Sequence, residues 1–385
     1  MTATGAKVLT TGKTVAMAVS GLAGCLAIVL AAGCATVPSQ RPAPHPAPLP
    51  EPYLSRVAAV QPPPAADEIL DLTPEMLVYL ETHIDGSRFR THKVRSLSRL
   101  LLHPGLLGID YDARRTGTAA QTFRSRTGNC LSLSILFVAM ARELGLDARF
   151  QQVEVVPQWD MEGDVLFAAR HVNVYGHLRG WGDYVMDFYP FPEEPRGRRR
   201  MLTDGEAIGQ FYNNLGAVRL AAGDYAGAWV YFRAAIREAP GWSDTWSNLG
   251  LLYQRVGDAR SSEDMLRHAL ALEPDNTSAI NNLAVLLHRQ GRDEEAGRWL
   301  DEIRRVRESN PYYYYALARQ AQAAGDYDRA LSHIEHAMRM KRDETLFRRK
   351  AAEIVELLED EGIGESYRTT GGREPATDEP GPAIL

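Results

Sequence analysis

The stretch Arg126–Arg149, "RTGNCLSLSILFVAMARELGLDAR", decides the reading of the N-terminal half. Leu133, Leu136, Phe137, Met140 and Leu144 fall on one helical face, and Leu131, Ile135 and Val138 make much of the other face apolar. A helix apolar on both sides is predicted to be buried. Gly128 breaks what precedes it, and Asn129 is a good N-cap. Cys130 then falls in the first helical turn. There the unpaired backbone N–H groups and the helix dipole favour a negative charge, and so a thiolate. Burial as a small apolar side chain is the competing explanation for a lone cysteine.

Gly145 ends that helix, and "DARFQQVEVV" reads as a strand. "RHVNVYGHLRGWGDYVMDFYP" reads as a hairpin: a strand through His171–Leu178, a turn around Arg179–Gly182, and a strand through Asp183–Tyr189. Alternation puts His171, Asn173, Tyr175 and His177 on one face. A turn near Arg179 brings Asp187 opposite His171 or within about one pair of it, although a one-residue slip would turn Asp187 away. A histidine beside a carboxylate is the base-and-orienter half of a catalytic triad. His177 is an alternative base, and Gln121, in "AAQTFRSRTGNC", is a candidate oxyanion donor beside the Cys130 backbone N–H. His83, His92 and His103 read as solvated or capping residues.

This order of parts resembles the transglutaminase-like superfamily of papain-type cysteine enzymes. "GNCLSLSILFVAMARELGLDAR" matches the cysteine helix, "HVNVYG" the histidine strand, and "WGDYVMDFYP" the aspartate strand. The resemblance covers about residues 67–192. It implies Cys130 as nucleophile, His171 as general base and Asp187 as orienter. Val172 and Asn173 after the histidine, and Phe188, Tyr189 and Pro190 after the aspartate, place the sequence nearer a bacterial branch. The same three residues are also a conceivable metal set, but the triad order accounts for them. No metal and no cofactor is expected.

From Gly209 onward the chain repeats with a 34-residue offset. Gly216, Gly250, Ala284 and Ala318 keep that period, as do Gly223, Gly257, Gly291 and Gly325 at an inter-helix turn. Tyr212, Trp246, Ile280 and Tyr314 recur four residues before the first series. The pattern resembles the tetratricopeptide repeat, a helix–turn–helix unit that stacks into a solenoid. Residues 205–361 are expected to hold about four repeats and a capping helix over Glu344–Glu361. The resemblance implies a groove for a protein or peptide ligand. Asn213, Ser247, Asn281 and Tyr315 sit at a position that often lines it, followed by Asn214, Asn248 and Asn282; surface solvation or stabilisation of the helix pairs is the alternative role.

The ends read differently. Lys7 and Lys13 precede an apolar stretch that ends "LAAGCATVPSQ". It resembles a bacterial lipoprotein signal over residues 1–33, with Cys34 as the lipid attachment site; Cys25 is a second possibility, and an uncleaved membrane anchor a third. Residues 34–66 are proline-rich and are expected to form an extended tether. Residues 362–385 are expected to be disordered. A cell-envelope location follows, lipid-anchored on the periplasmic face of the outer membrane. If Cys34 is lipidated, Cys130 has no disulfide partner. The chain has 385 residues and a net charge of −6, which argues against general nucleic-acid binding. The run "RGRRR" at 196–200 reads as a solvated linker. The expected architecture is an α+β papain/transglutaminase-like domain over residues 67–200, followed by an all-α tetratricopeptide-repeat solenoid.

Overall fold

The structure, a computed structural model, describes residues 8–9, 44–84, 89–162, 165–188, 199–360 and 383–384. Cys25, Cys34 and nearly all of the stretch read as an export signal lie outside the described residues. Among those residues no helix is long and apolar enough to cross a membrane.

The N-terminal domain packs short helices against one face of a sheet. Val8–Leu9 forms β1, and a short helix α1 spans Tyr53–Val57. Helix α2 (Pro74–His83) starts at Thr73, whose side chain accepts from the Met76 N–H, with proline at the first helical position. Helix α3 (Arg90–Leu102) follows, then β2 (Asp110–Tyr111), α4 (Ala119–Ser125) and β3 (Thr127–Gly128), with β2 and β3 paired in parallel. Helix α5 (Cys130–Glu143) is buried at every position from Cys130 to Ala141, as its apolar circumference requires. Strands β4 (Arg149–Glu162), β5 (Val165–Leu178), β6 (Gly182–Met186) and β7 (Arg199–Met201) form an antiparallel sheet in the order β1-β6-β5-β4-β7. Val172, Val174, Phe150 and Met186 share one core with Leu133, Leu136 and Phe137 of α5.

The basic run was expected to be a solvated linker. Arg199 and Arg200 are exposed, but they belong to β7, paired with Val153 and Gln152 of β4. Arg200 also stacks over Trp242 and pairs with Glu206, so its guanidinium serves packing.

The C-terminal half is a stack of helix pairs: α6 (Asp204–Ala221) with α7 (Tyr225–Glu238), α8 (Ser243–Arg255) with α9 (Ala259–Leu272), α10 (Thr277–Arg289) with α11 (Asp293–Glu302), then a short α12 (Arg304–Glu308), α13 (Pro311–Ala323) with α14 (Tyr327–Met340), and a final α15 (Thr345–Asp360). Gly223, Gly257, Gly291 and Gly325 have φ of 78°, 84°, 73° and 78°, the left-handed turn that closes each first helix. A Cβ at Gly216 would sit 2.6 Å from the Phe232 ring, and one at Gly250 would sit 2.7 Å from Leu266, so the small residues admit the partner helix. Tyr212, Trp246, Ile280 and Tyr314 are all buried. Phe347, Ile354 and Leu358 of α15 close the end of the stack.

Two further expectations meet a different arrangement. The proline-rich segment is not a free tether from residue 44 onward. Leu49 is buried in the core of the repeats, Tyr53 stacks edge-on against Tyr225, and the Tyr212 hydroxyl donates to the Pro64 carbonyl at 2.6 Å. Proline stiffens a chain without preventing it from docking its apolar rings on a surface. At the other end, Ala383–Ile384 forms a two-residue strand β8 parallel to β5, while the rest of the tail lies outside the described residues.

Candidate active site

The site is assembled at the start of α5. The Asn129 side chain accepts from the Ser132 N–H at 3.0 Å and donates to Thr116 Oγ1 at 2.9 Å. Ser132 Oγ in turn accepts from the Gly117 N–H at 2.9 Å and is within reach of the Arg115 carbonyl. A Cβ at Gly128 would lie 2.8 Å from Ser132 Cβ, so only glycine lets the chain pass this close to the first turn. These contacts fix the backbone on both sides of Cys130. Cys130 is not in a disulfide, and it is 9% exposed.

Strand β5 brings His171 to the thiol, close enough for Cys130 to favour the protonated imidazole. On its other side the imidazole Nε2 lies 2.8 Å and 3.0 Å from the two carboxylate oxygens of Asp187. The last register pair between β5 and β6 is Val174–Met186, so Asp187 sits just past it, one step beyond the strand and beside Asn173. His171 reaches it diagonally from the same face. The Asn173 side-chain amide donates to Asp187 Oδ2 at 3.1 Å and holds the carboxylate toward the imidazole. The alternation rule placed Asn173 on the His171 face, but its role depended on the register.

Burial alone would push His171 toward the neutral form. The hydrogen bond to Asp187 and the pairing with Cys130 outweigh it and raise the imidazole to about 9. At neutral pH the ring therefore carries a proton between a carboxylate and a sulfur.

The other candidates are placed elsewhere. Gln121 sits in a capping box, its side-chain oxygen accepting from the Thr118 N–H at 3.0 Å and its own N–H donating to Thr118 Oγ1 at 3.2 Å. His177 is exposed and pairs with Asp183 at 2.7 Å. His83 bonds the Tyr79 carbonyl, and His103 accepts from the Gly105 N–H. Among the described residues no group of three or more His, Cys, Asp or Glu side chains is arranged to hold a metal ion.

The asparagines expected to line a groove are largely inside the stack. Asn213, Ser247, Asn248, Asn281, Asn282 and Tyr315 are buried, and Asn214 is half-buried. Asn248 donates to Asn213 at 3.0 Å and Asn282 to Ser247 at 3.5 Å, which joins successive repeats. Their surroundings match the helix-stabilising alternative, because a helix position that faces the next repeat has little water left to face.

The array also grips the histidine strand. Arg170, the neighbour of His171, pairs with Asp244 at 2.5 Å and Glu273 at 2.7 Å, and its guanidinium lies over Trp242. Asn276 donates to Ser243 and Asp244 in the same cluster at 2.8 Å and 2.7 Å. A second clamp joins Arg142 of α5 to both oxygens of Asp204 at 2.6 Å and 2.8 Å. No residue of this clamp was singled out in the sequence, because ion pairs between distant segments leave no local pattern.

Comparison with known proteins agrees with this division. Residues 93–185 match the transglutaminase-like superfamily, and residues 254–319 and 311–336 match tetratricopeptide repeats. The chain thus carries a transglutaminase-like domain followed by tetratricopeptide repeats. It is similar to "Superkiller protein 3" of Schizosaccharomyces pombe, 31% identical over 136 residues, covering 34% of this chain and 10% of that protein. It is also similar to "Tetratricopeptide repeat protein 8" of Caenorhabditis elegans, 28% identical over 139 residues, covering 36% of this chain and 26% of that one. The chain therefore spans a minor part of the length of these relatives. Among solved structures, Pseudomonas aeruginosa PilF is 20% identical, with 45% of this chain and 80% of that chain covered and a TM-score of 0.33. MamA is 19% identical, with 42% and 86% covered and a TM-score of 0.28.

Proposed function

We propose that this chain is a cysteine acyl-transfer enzyme with a protein-binding repeat module. The observation that carries the reading is the His171–Asp187 pair at 2.8 Å, with Cys130 at the start of α5 close enough to favour the protonated imidazole. In this reaction the Cys130 thiolate attacks an amide carbonyl. Backbone N–H groups of the first turn of α5 stabilise the oxyanion. His171 gives its proton to the departing amine nitrogen, the C–N bond breaks, and a thioester remains. Water or an incoming amine then loses a proton to His171 and attacks the thioester. The thiolate leaves, and Cys130 and His171 return to their starting state. Asp187 keeps the ring oriented and its charge balanced, and Asn173 is a positioning residue for Asp187. No cofactor enters the scheme.

An activated ester such as p-nitrophenyl acetate tests this without knowledge of the natural substrate. An acetyl group mapped to Cys130 by mass spectrometry, with turnover lost in His171→Ala, supports the reading. Ester hydrolysis that persists in Cys130→Ser sinks it.

A scaffold role is the second reading, favoured by the 9% exposure of Cys130. On that reading the repeats hold a protein ligand and the thiol domain only packs. Cys130→Ser would then leave partner capture and cell phenotype unchanged.

For the location we propose an envelope lipoprotein anchored through Cys34 at the periplasmic face of the outer membrane. "LAAGC" followed by a proline-rich stretch supports it, and two acyl chains suffice for stable anchoring. A mature N-terminus at Cys34 would lack β1. Mass spectrometry of the mature chain tests both points, and an N-terminus upstream of Thr14 refutes the anchor.

A further inference from the structure

We infer that the first two repeats carry a recognition site for proline-rich segments, and that residues 44–53 are its resident occupant. The segment reads "PHPAPLPEPY", with a proline at every second position from Pro44 to Pro52. Proline has no N–H, so such a segment cannot join a sheet by an unbroken ladder, and its handles are carbonyls and apolar rings. The repeats present the complementary groups. The Trp229 indole N–H donates to the Ala47 carbonyl at 3.2 Å, and the Tyr253 hydroxyl donates to the same oxygen. The Trp229 indole also reaches the Tyr253 hydroxyl at 3.3 Å, so the two donors are set as a unit. Two residues on, Leu49 is seated in the apolar core at 2% exposure. Tyr53 then packs on Tyr225 with ring centroids 5.4 Å apart.

Aromatic rings with outward donors and a pocket for one apolar side chain are how proline-rich ligands are read elsewhere in protein recognition. The stiffness of such a ligand keeps the entropy lost on docking small. None of these groups serves the thiol site. Trp229 and Tyr253 are on α7 and α8, in different repeats, so the pair exists only when the repeats are stacked. The occupant has one loose edge. Between Pro44–Pro46 and the repeats lies a cavity of about 650 Å³, also lined by Trp229, Arg233, Pro240 and Trp246. His45 and Pro48 are exposed. A segment held this way is open to exchange with a proline-rich segment from a partner protein.

The test uses the full-length chain and a fluorescein-labelled peptide of residues 44–56, read by anisotropy. Leu49→Asp in the chain loosens the resident occupant. The peptide should bind this variant at least ten times more tightly than the wild-type chain. Adding Trp229→Phe and Tyr253→Phe to the variant should weaken binding at least tenfold. Equal binding to wild type and Leu49→Asp, no binding to either, or no effect of the two phenylalanines overturns the site. Hydrogen exchange on the wild-type chain is independent of whether the variant folds. Excess unlabelled peptide should speed exchange of the Tyr53–Val57 amides while α7 and α8 stay protected, and unchanged exchange at these amides overturns the inference.

Discussion

The array and the thiol domain both bury polar side chains, but they use them in opposite ways. In the array Asn213 accepts from Asn248 and Ser247 from Asn282, each pair 35 residues apart. The same bond is made in successive layers, and it stitches the stack. In the thiol domain His171 and Asn173 both turn to Asp187, and the imidazole also meets Cys130. Nothing there is repeated. A polar set that recurs with the fold's own period serves the fold, while a convergent, unrepeated set around a nucleophile is available for chemistry. The asparagines expected in a groove fell on the wrong side of that distinction.

The sharpest way to break the comparison is Cys130→Ser. Acyl transfer to an activated ester should vanish, while the melting curve stays within a degree or so of wild type. His171→Ala should lower turnover by roughly 10²–10⁴-fold, the usual contribution of a positioned acid–base group. If both variants hydrolyse the ester normally, the convergent set is structural like the array's.

The largest structural effect belongs to the array. Trp246→Ala empties a fully buried site between the paired helices α8 and α9 and should cost about 3–5 kcal/mol. Because repeats contact mainly their neighbours, the loss should concentrate in α7–α9, seen by hydrogen exchange. An equal rise in exchange across the whole chain would mean that the array folds as one unit with the thiol domain.

The raised imidazole gives a pH dependence with a definite sign. A histidine held at about 9 instead of its ordinary 6.5 adds stability that is fully present below 6.5. That stability is lost as pH rises through about 9. The gap in urea midpoint between wild type and His171→Ala should therefore shrink from pH 6 to pH 9.5. Alkylation of Cys130 by iodoacetamide should be faster at pH 7 in wild type than in His171→Ala, since the variant lacks the acid–base group beside the nucleophile. A constant midpoint gap together with equal alkylation rates would remove His171 from the scheme.

The clamp between the two halves should matter less. Arg170→Met leaves Asp244 and Glu273 without their cation and should cost about 1.5–3 kcal/mol, the range for charge-assisted hydrogen bonds. Calorimetry reads the loss. The smallest effect is expected at Asn173→Ala. It removes one neutral-donor hydrogen bond to the Asp187 carboxylate, at the low end of about 1.5–3 kcal/mol, so turnover of the ester should fall by roughly tenfold. A shifted pH–rate profile in this variant, with an unchanged melting curve, would mark Asn173 as positioning Asp187.

The sequence by itself determined the elements whose signals are local or periodic. The buried helix with Asn129 as its cap was legible because capping and all-round apolarity involve neighbours along the chain. The 34-residue period marked the four turn glycines, which prove left-handed, and the small Gly216, whose partner Phe232 only the packing reveals. Alternation put His171 and Asn173 on one face. Tertiary structure decided what distance along the chain conceals. Register chose Asp187 as the partner of His171 and left His177 to Asp183. Gln121 became a cap because Thr118 was its nearest donor. The proline-rich segment docked because Trp229, Tyr253 and Tyr225 come together only when two repeats stack. Arg170 joined Asp244 and Glu273 across 74 and 103 residues for the same reason. Propensity and periodicity act over a few residues or one repeat, whereas a contact between distant segments is set by how packed layers meet.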